Sequence, residues 1–527
     1  MSGARRSALA AGRGGARALR AAAACAVLGL ALSGCGLLPG VGGADESSRI
    51  GPLPEGEPAT VAEFGEQEPV WRDCLDGVAC ADVRAPLDWA DPSGETITLR
   101  LVKRGATGGG SEGTLFVNPG GPGASGADYV ANGPSITSDV QDAYDVVGWD
   151  PRGVGMSSHV TCLDAAGMDE YLFGPGSAAD LEPGSDAWIE AALGDAREFG
   201  EACERRTGPL LGHVSTADTV RDLDMLRAIF GESRLDYLGF SYGTYIGARY
   251  ADAYPDRVGR IVLDGAMDPS VGLDEVVREQ TRGFETALRA YATDCLTREE
   301  CPLSGDVDAA MAQIGAQLDA VEAEPLTGGD GRMFSSGTML TAIITPLYSP
   351  SMWSYLDELF ASVADGNADV GLALADFYYD RENGRYLSNS TEAFSAINCL
   401  DYPLADDGLD PARMAEDAAE LDRIAPTIGR FQGYGDVACA AWPEQASADR
   451  GPVRATGAAP ILVVGTTGDP ATPYRWAESL AAQLESATLL TYVGEGHTAY
   501  GEDACVDAAV DAYLLRGKAP ASGSRCA

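Results

Sequence analysis

Gly239-Phe240-Ser241-Tyr242-Gly243 is a Gly-x-Ser-x-Gly turn set between an apolar run that ends at Leu238 and a stretch with helical spacing. A strand-turn-helix of this kind projects the serine Oγ from the end of a sheet, and its two glycines leave room that larger residues would fill. The chemistry is nucleophilic, because a hydroxyl attacks an acyl carbon once a base removes its proton. The chain holds three histidines, His159, His213 and His497. Around such a turn the acid and then the base follow the serine along the chain, and only His497 follows Ser241. It lies in Gly494-Glu495-Gly496-His497, just past an apolar run, while His159 and His213 read as surface or hydrogen-bonded residues.

The orienting acid belongs at a strand end between Ser241 and His497, where a carboxylate can bind the imidazole N–H. Asp469 fits, in Gly468-Asp469-Pro470-Ala471-Thr472-Pro473 after the run Ile461 to Val464. Pro470 favours extended backbone at the Asp. Thr472 either supports that carboxylate or serves the turn. Asp264, in Leu263-Asp264-Gly265, is the alternative acid. Acyl transfer also needs donors for the oxyanion, and Asn118-Pro119-Gly120-Gly121-Pro122-Gly123-Ala124-Ser125-Gly126 supplies a loop for them. The N–H groups of Gly121 and Tyr242 are assigned to the hole. A phosphate cradle is disfavoured, since Pro122 removes a donor and no Lys-Ser/Thr follows.

These residues need a sheet to carry them. Apolar, β-branched runs at 114–118, 144–149, 235–239, 260–263, 460–466 and 488–493 alternate with helical stretches such as 218–230 and 242–254. That is the pattern of a mostly parallel α/β sheet. Between 268 and 451 the strand signal gives way to Ala- and Glu-rich helical segments, read as an inserted helical cap. The expected organisation is a signal peptide over 1–34, a flexible Gly/Pro/Glu-rich tether over 35–68, the first part of the sheet domain over 69–267, the cap, and a second part over 452–527.

The N-terminus carries Arg5, Arg6, Arg13, Arg17 and Arg20 before a short apolar run ending in Leu32-Ser33-Gly34-Cys35. This is a signal peptide with a lipobox-like end, so Cys35 is the expected lipidation site and membrane attachment. Setting aside Cys25 and Cys35 leaves ten cysteines, an even number that favours disulfides in an exported chain. Sequence neighbours suggest the pairs 74 with 80, 162 with 203, 295 with 301, 399 with 439, and 505 with 526. A net charge of −42, from 79 acidic and 37 basic residues, argues against nucleic acid and reads as a solvated acidic surface. No Cys-x-x-Cys or His-rich cluster points to a metal.

Together the Gly-Gly-Pro-Gly loop, Asp150-Pro151-Arg152-Gly153-Val154-Gly155-Met156-Ser157, the Gly-Phe-Ser-Tyr-Gly turn and Gly-Asp-Pro-Ala-Thr-Pro resemble the proline-iminopeptidase-related serine peptidases. The closest likeness is to the secreted tripeptidyl aminopeptidase branch of actinobacteria. The resemblance implies an α/β-hydrolase fold and removal of short peptides from free N-termini of peptides or proteins, with no metal or organic cofactor. Asn118-Pro119 stands where proline iminopeptidases carry a His before the Gly-rich loop, which favours the tripeptidyl branch. The cap would bind the substrate amine through acidic side chains, with Glu275 and Glu279 as candidates. The expected setting is the outer face of the cell membrane, held by the anchor or shed by cleavage in the tether. Two rivals are an esterase or lipase for small acyl esters, and a non-catalytic envelope binding protein on the same scaffold.

Overall fold

The structure, a computed structural model, describes residues 51–527 apart from 76, 180, 405–407, 436, 445 and 447–449. The signal peptide, Cys35 and the tether up to residue 50 lie outside the described residues. Ten strands make one sheet: β1 (Arg72–Leu75), β2 (Val78–Pro86), β3 (Thr96–Arg104), β4 (Thr114–Asn118), β5 (Asp145–Trp149), β6 (Leu235–Phe240), β7 (Val258–Asp264), β8 (Ile461–Gly468), β9 (Ala487–Glu495) and β10 (Ser524–Cys526). Their spatial order is β1-β2-β3-β5-β4-β6-β7-β8-β9-β10. The β1-β2, β2-β3 and β3-β5 pairs are antiparallel, and every pair from β5 to β10 is parallel. This is the α/β-hydrolase architecture that the resemblance implies.

Helices cover both faces, which is why β4, β6 and β7 are apolar almost throughout. On one face Leu223, Leu226, Ile246, Tyr250 and Leu480 pack with Phe116, Tyr237 and Leu263. On the other, Val130, Val140, Val506 and Val510 meet Val117, Leu238 and Val464. Local signals set the helix ends. Ser215 caps Thr216–Ile229 by accepting the Asp218 N–H through its side chain, and Tyr242–Ala253 stops just before Pro255.

Between β7 and β8 the chain is almost wholly helical, from Leu273–Cys295 to Val437–Ala440. It has a core of its own, with Leu288, Ile314, Leu318, Ile343, Leu356 and Phe360 fully buried. Two hairpins of two-residue strands, 326–327 with 333–334 and 381–382 with 385–386, interrupt it where no strand is expected. Phe173, from before β6, joins this core, so the insertion rests partly on chain that precedes it.

The tether expectation fails over 51–68. Phe64 is fully buried among Val83, Trp89 and Leu99, within a short helix Val61–Gly65, and Gln67 bonds both backbone groups of Arg84. The buried phenylalanine and these hydrogen bonds dock the segment. All five disulfides pair as sequence neighbours suggest. Among the described residues no helix is long and apolar enough to cross a membrane.

Arg152, in the Asp150-Pro151-Arg152-Gly153 run, proves to be a buried anchor. Its guanidinium makes two 2.7 Å bonds to Asp222, and both side chains are fully buried. It also donates to the carbonyls of Pro86, Leu87 and His213, so it ties the end of β2 to the start of Thr216–Ile229. Trp89 Nε1 completes the Asp222 carboxylate at 3.0 Å. Arg152→Leu leaves that carboxylate buried and uncompensated and is expected to lose about 3–5 kcal/mol of stability, whereas Arg152→Met with Asp222→Leu recovers most of it. Chemical denaturation with disulfides intact measures both; a loss under about 1 kcal/mol in the single variant would contradict the anchor.

Candidate active site

Ser241 stands between β6 and the helix Tyr242–Ala253 with φ 53 and ψ −124, a backbone that side-chain-bearing residues seldom adopt. Its N–H is held by the Asp264 carbonyl at 2.9 Å. The flanking glycines are required by contact: a Cβ on Gly239 would lie 2.5 Å from the Gly243 carbonyl oxygen, and one on Gly243 would lie 2.7 Å from that of Asn118. The Gly-rich loop after β4 presses against the same turn. A Cβ on Gly120 would lie 2.6 Å from the Phe240 carbonyl oxygen and 3.0 Å from the Tyr242 nitrogen. Gly121 is exposed beside it. The Tyr242 N–H is the first of its helix, where amides have no partner within the helix. The Gly-rich loop and the start of this helix therefore meet at the serine turn.

His497 follows β9 and meets Asp469, which follows β8. Imidazole Nδ1 lies 2.9 and 3.0 Å from the two carboxylate oxygens, with the Asp side chain fully buried. Asp469 is oriented by donors from its own turn, the N–H groups of Ala471 and Thr472 at 2.9 and 2.8 Å and the Thr472 hydroxyl at 2.9 Å. Thr472 thus serves both the turn and the carboxylate. Since Nδ1 faces Asp469, Nε2 is the ring nitrogen not engaged by that carboxylate. The ring sits next to Gly265, where a Cβ would lie 3.2 Å from His497 Cε1 and the same distance from Thr472 Oγ1. Gly265 directly follows the residue that holds the Ser241 N–H, so serine, imidazole and carboxylate occupy one rim of the sheet.

Burial opposes a charged imidazole, but the charge and hydrogen bond of Asp469, with the charge of Asp264 behind them, outweigh it. The His497 pKa is held above its ordinary value.

The insertion touches both halves of the site. The His497 N–H bonds the Tyr348 carbonyl at 2.8 Å, and the Tyr348 ring meets the imidazole nearly at right angles, 5.3 Å between centroids. Gln280 Nε2 donates to the Ala471 carbonyl at 2.8 Å, and Gly123 lies against the start of Ser390–Asp401. Sequence reasoning missed these supports, since a backbone carbonyl at 348 carries no side-chain signal. It also missed Thr216 and Asp401. The Thr216 hydroxyl bonds both the Tyr242 hydroxyl and Asp401, which fixes the residue after the nucleophile.

Glu275 and Glu279 sit on the helix Leu273–Cys295 and are committed to arginines. Glu275 pairs with Arg475 and more distantly with Arg278, while Glu279, buried, pairs with Arg475 at 2.8 Å and with Arg282. Their charge is already neutralised, and a substrate amine would have to displace a guanidinium to reach it. His159 contacts its own loop, Nδ1 to the Ser157 carbonyl at 3.2 Å, and His213 lends its carbonyl to Arg152.

Residues 425–526, which hold Asp469 and His497, match the family model described as TAP-like protein. Over 469 residues the chain is 36% identical to Serine protease Hip1 of Mycobacterium tuberculosis, covering 85% of this chain and 87% of that protein. The chain belongs to the TAP-like family of α/β-hydrolase serine peptidases. It is also 36% identical over 520 residues to Carboxylesterase B of M. tuberculosis, covering 95% and 96% of the two chains. To the Tripeptidyl aminopeptidase of Streptomyces lividans it is 32% identical over 481 residues, covering 87% and 86%. This TAP-like protein is a serine hydrolase.

Neutral His497 is the form able to accept a proton, so the acid limb of kcat/KM is expected to fall above about 6.5, the ordinary histidine value. Asp469→Asn removes the charge and the acceptor that raise it. Its acid limb should move to lower pH, and kcat should fall on the order of 10⁴-fold with KM little changed. A pH–rate profile of both proteins tests this, and an unmoved limb in the variant would detach Asp469 from His497.

Proposed function

We propose that this protein is an exported exopeptidase that removes short peptides, chiefly tripeptides, from free N-termini, with Ser241 as nucleophile, His497 as base and Asp469 as orienting acid. The contact of Asp469 with His497, on the rim that carries the strained Ser241 turn, is the observation that supports it most strongly. Ser241 Oγ attacks the scissile carbonyl as its proton passes to His497 Nε2. The N–H groups of Gly121 and Tyr242 hold the oxyanion, and the buried Asp469 carboxylate stabilises the imidazolium. Collapse breaks the C–N bond, and His497 returns the proton to the leaving amine, which becomes the new N-terminus of the shortened substrate. A water molecule, its proton taken by His497, then frees the acyl peptide from Ser241.

The tripeptide preference draws on the Streptomyces relative named for that activity. The amine is assigned to carboxylates of the insertion other than Glu275 and Glu279, since those two are paired with arginine. Five disulfides support an oxidising compartment, and Cys35 is the proposed lipid anchor at the outer face of the membrane.

A second reading, hydrolysis of small acyl esters, is favoured by the relative named Carboxylesterase B, because the same triad cleaves esters. Turnover of an Ala-Pro-Ala anilide, its N-acetylated form and a nitrophenyl ester separates the two. The peptidase reading expects the free-amine anilide to be cleaved with release of intact tripeptide and the acetylated form to be refused. Equal rates on both anilides would sink it. Ser241→Ala should lower kcat on the order of 10⁶-fold.

A further inference from the structure

Asp264, the last residue of β7, is used at both ends. Its carbonyl oxygen holds the N–H of Ser241 at 2.9 Å. Its carboxylate Oδ2 accepts the N–H groups of Ala499 and Tyr500 at 3.0 and 2.8 Å, two and three residues beyond His497. The side chain is fully buried, and its second oxygen, Oδ1, has no hydrogen-bond partner among the described residues. Burying a carboxylate with one oxygen unpaired destabilises a fold, so packing alone does not account for an acid here. Asp469, and not Asp264, makes the contact with imidazole Nδ1.

We propose that Asp264 is a positioning residue: through one strand end it keeps the base loop in register with the nucleophile turn, and its carboxylate is a second negative neighbour for the imidazolium formed at His497. The inference rests on the reading of Ser241 and His497 as nucleophile and base. Two bonded amides fix the loop that carries His497, while the carbonyl of the same residue fixes the serine, so their separation is set within a single residue. The groups around the pair are Asp469 and Thr472 at Nδ1, the Tyr348 ring against the imidazole, and Tyr129, whose hydroxyl feels the Asp264 charge. Burial raises the Asp264 carboxyl to about 6; its two amide donors and the charge of His497 work against this, and the charge of Asp469 adds to it. Above that pH Asp264 is ionised and favours imidazolium. Below it the carboxyl is neutral and that contribution is lost.

Asp264→Asn retains an acceptor for the loop amides and removes the charge, whereas Asp264→Ala removes both. For the Asn variant the expected result is unchanged KM, kcat reduced about tenfold to a hundredfold, and an acid limb of kcat/KM at lower pH than in the wild type. The chain has only three histidines, so the His497 titration can be followed directly by NMR of carbon-13-labelled histidine, independently of turnover. Its midpoint is expected to fall in the Asn variant even if the Ala variant fails to fold. A lowered melting temperature with wild-type kcat and an unshifted His497 midpoint would make Asp264 a merely structural residue and overturn the inference. Failure of a fluorophosphonate to label Ser241 in the wild type would sink the catalytic reading and this inference with it. Labelling retained beside an unshifted midpoint would sink the inference alone.

Discussion

Ser241 holds a backbone conformation with φ 53 that costs on the order of 1–3 kcal/mol, and the rest of the site is arranged around keeping it there. Parallel strands on either side of β6 supply the fixed frame. The Asp264 carbonyl from β7 takes the serine N–H, and the loop after β4 crowds the turn so closely that only glycine fits at 120, 239 and 243. Because the turn is held from both neighbouring strands, relaxation at the serine would disturb the sheet itself. The Gly-rich loop follows one of these neighbours, β4, and the loop that carries His497 is bonded to the other through Asp264.

The insertion is part of this machinery rather than an accessory to it. Its Tyr348 carbonyl holds the His497 amide, its Gln280 holds the acid turn, and its helix Ser390–Asp401 abuts Gly123 and contributes Asp401 to the Thr216–Tyr242 network. Ser241, His497 and Asp469 come from the sheet domain, but the loops around them are braced by chain that separates β7 from β8. His497 is thereby held by Tyr348, 149 residues earlier in the chain (497 − 348), and Ala471 by Gln280, 191 residues earlier.

What was legible in the sequence divides along physical lines. The apolar runs are strands β4 to β9, of which β4 to β8 are largely buried, and the turns that follow them carry glycines, a serine, a proline-flanked aspartate and a histidine that point to acyl chemistry. β1 to β3 and β10 escape a search for such runs. In β3 buried Ile97, Leu99 and Leu101 alternate with more accessible Thr98 and Arg100, while β1 is exposed throughout and β10 is three residues long. Arg152 illustrates another limit: an arginine in a loop motif reads as polar surface until its partner Asp222, 70 residues away, is brought alongside. Glu275 and Glu279 fail as unpaired acids for the converse reason, since Arg475 reaches them from the far side of the insertion. The segment 51–68 reads as tether because composition counts its many polar residues and overlooks one well-placed phenylalanine.

The bond between the His497 amide and the Tyr348 carbonyl also joins two distant stretches of chain mechanically. Any displacement of the insertion at Tyr348 must either break that bond or carry the His497 backbone with it, so motion at the one place is felt at the other.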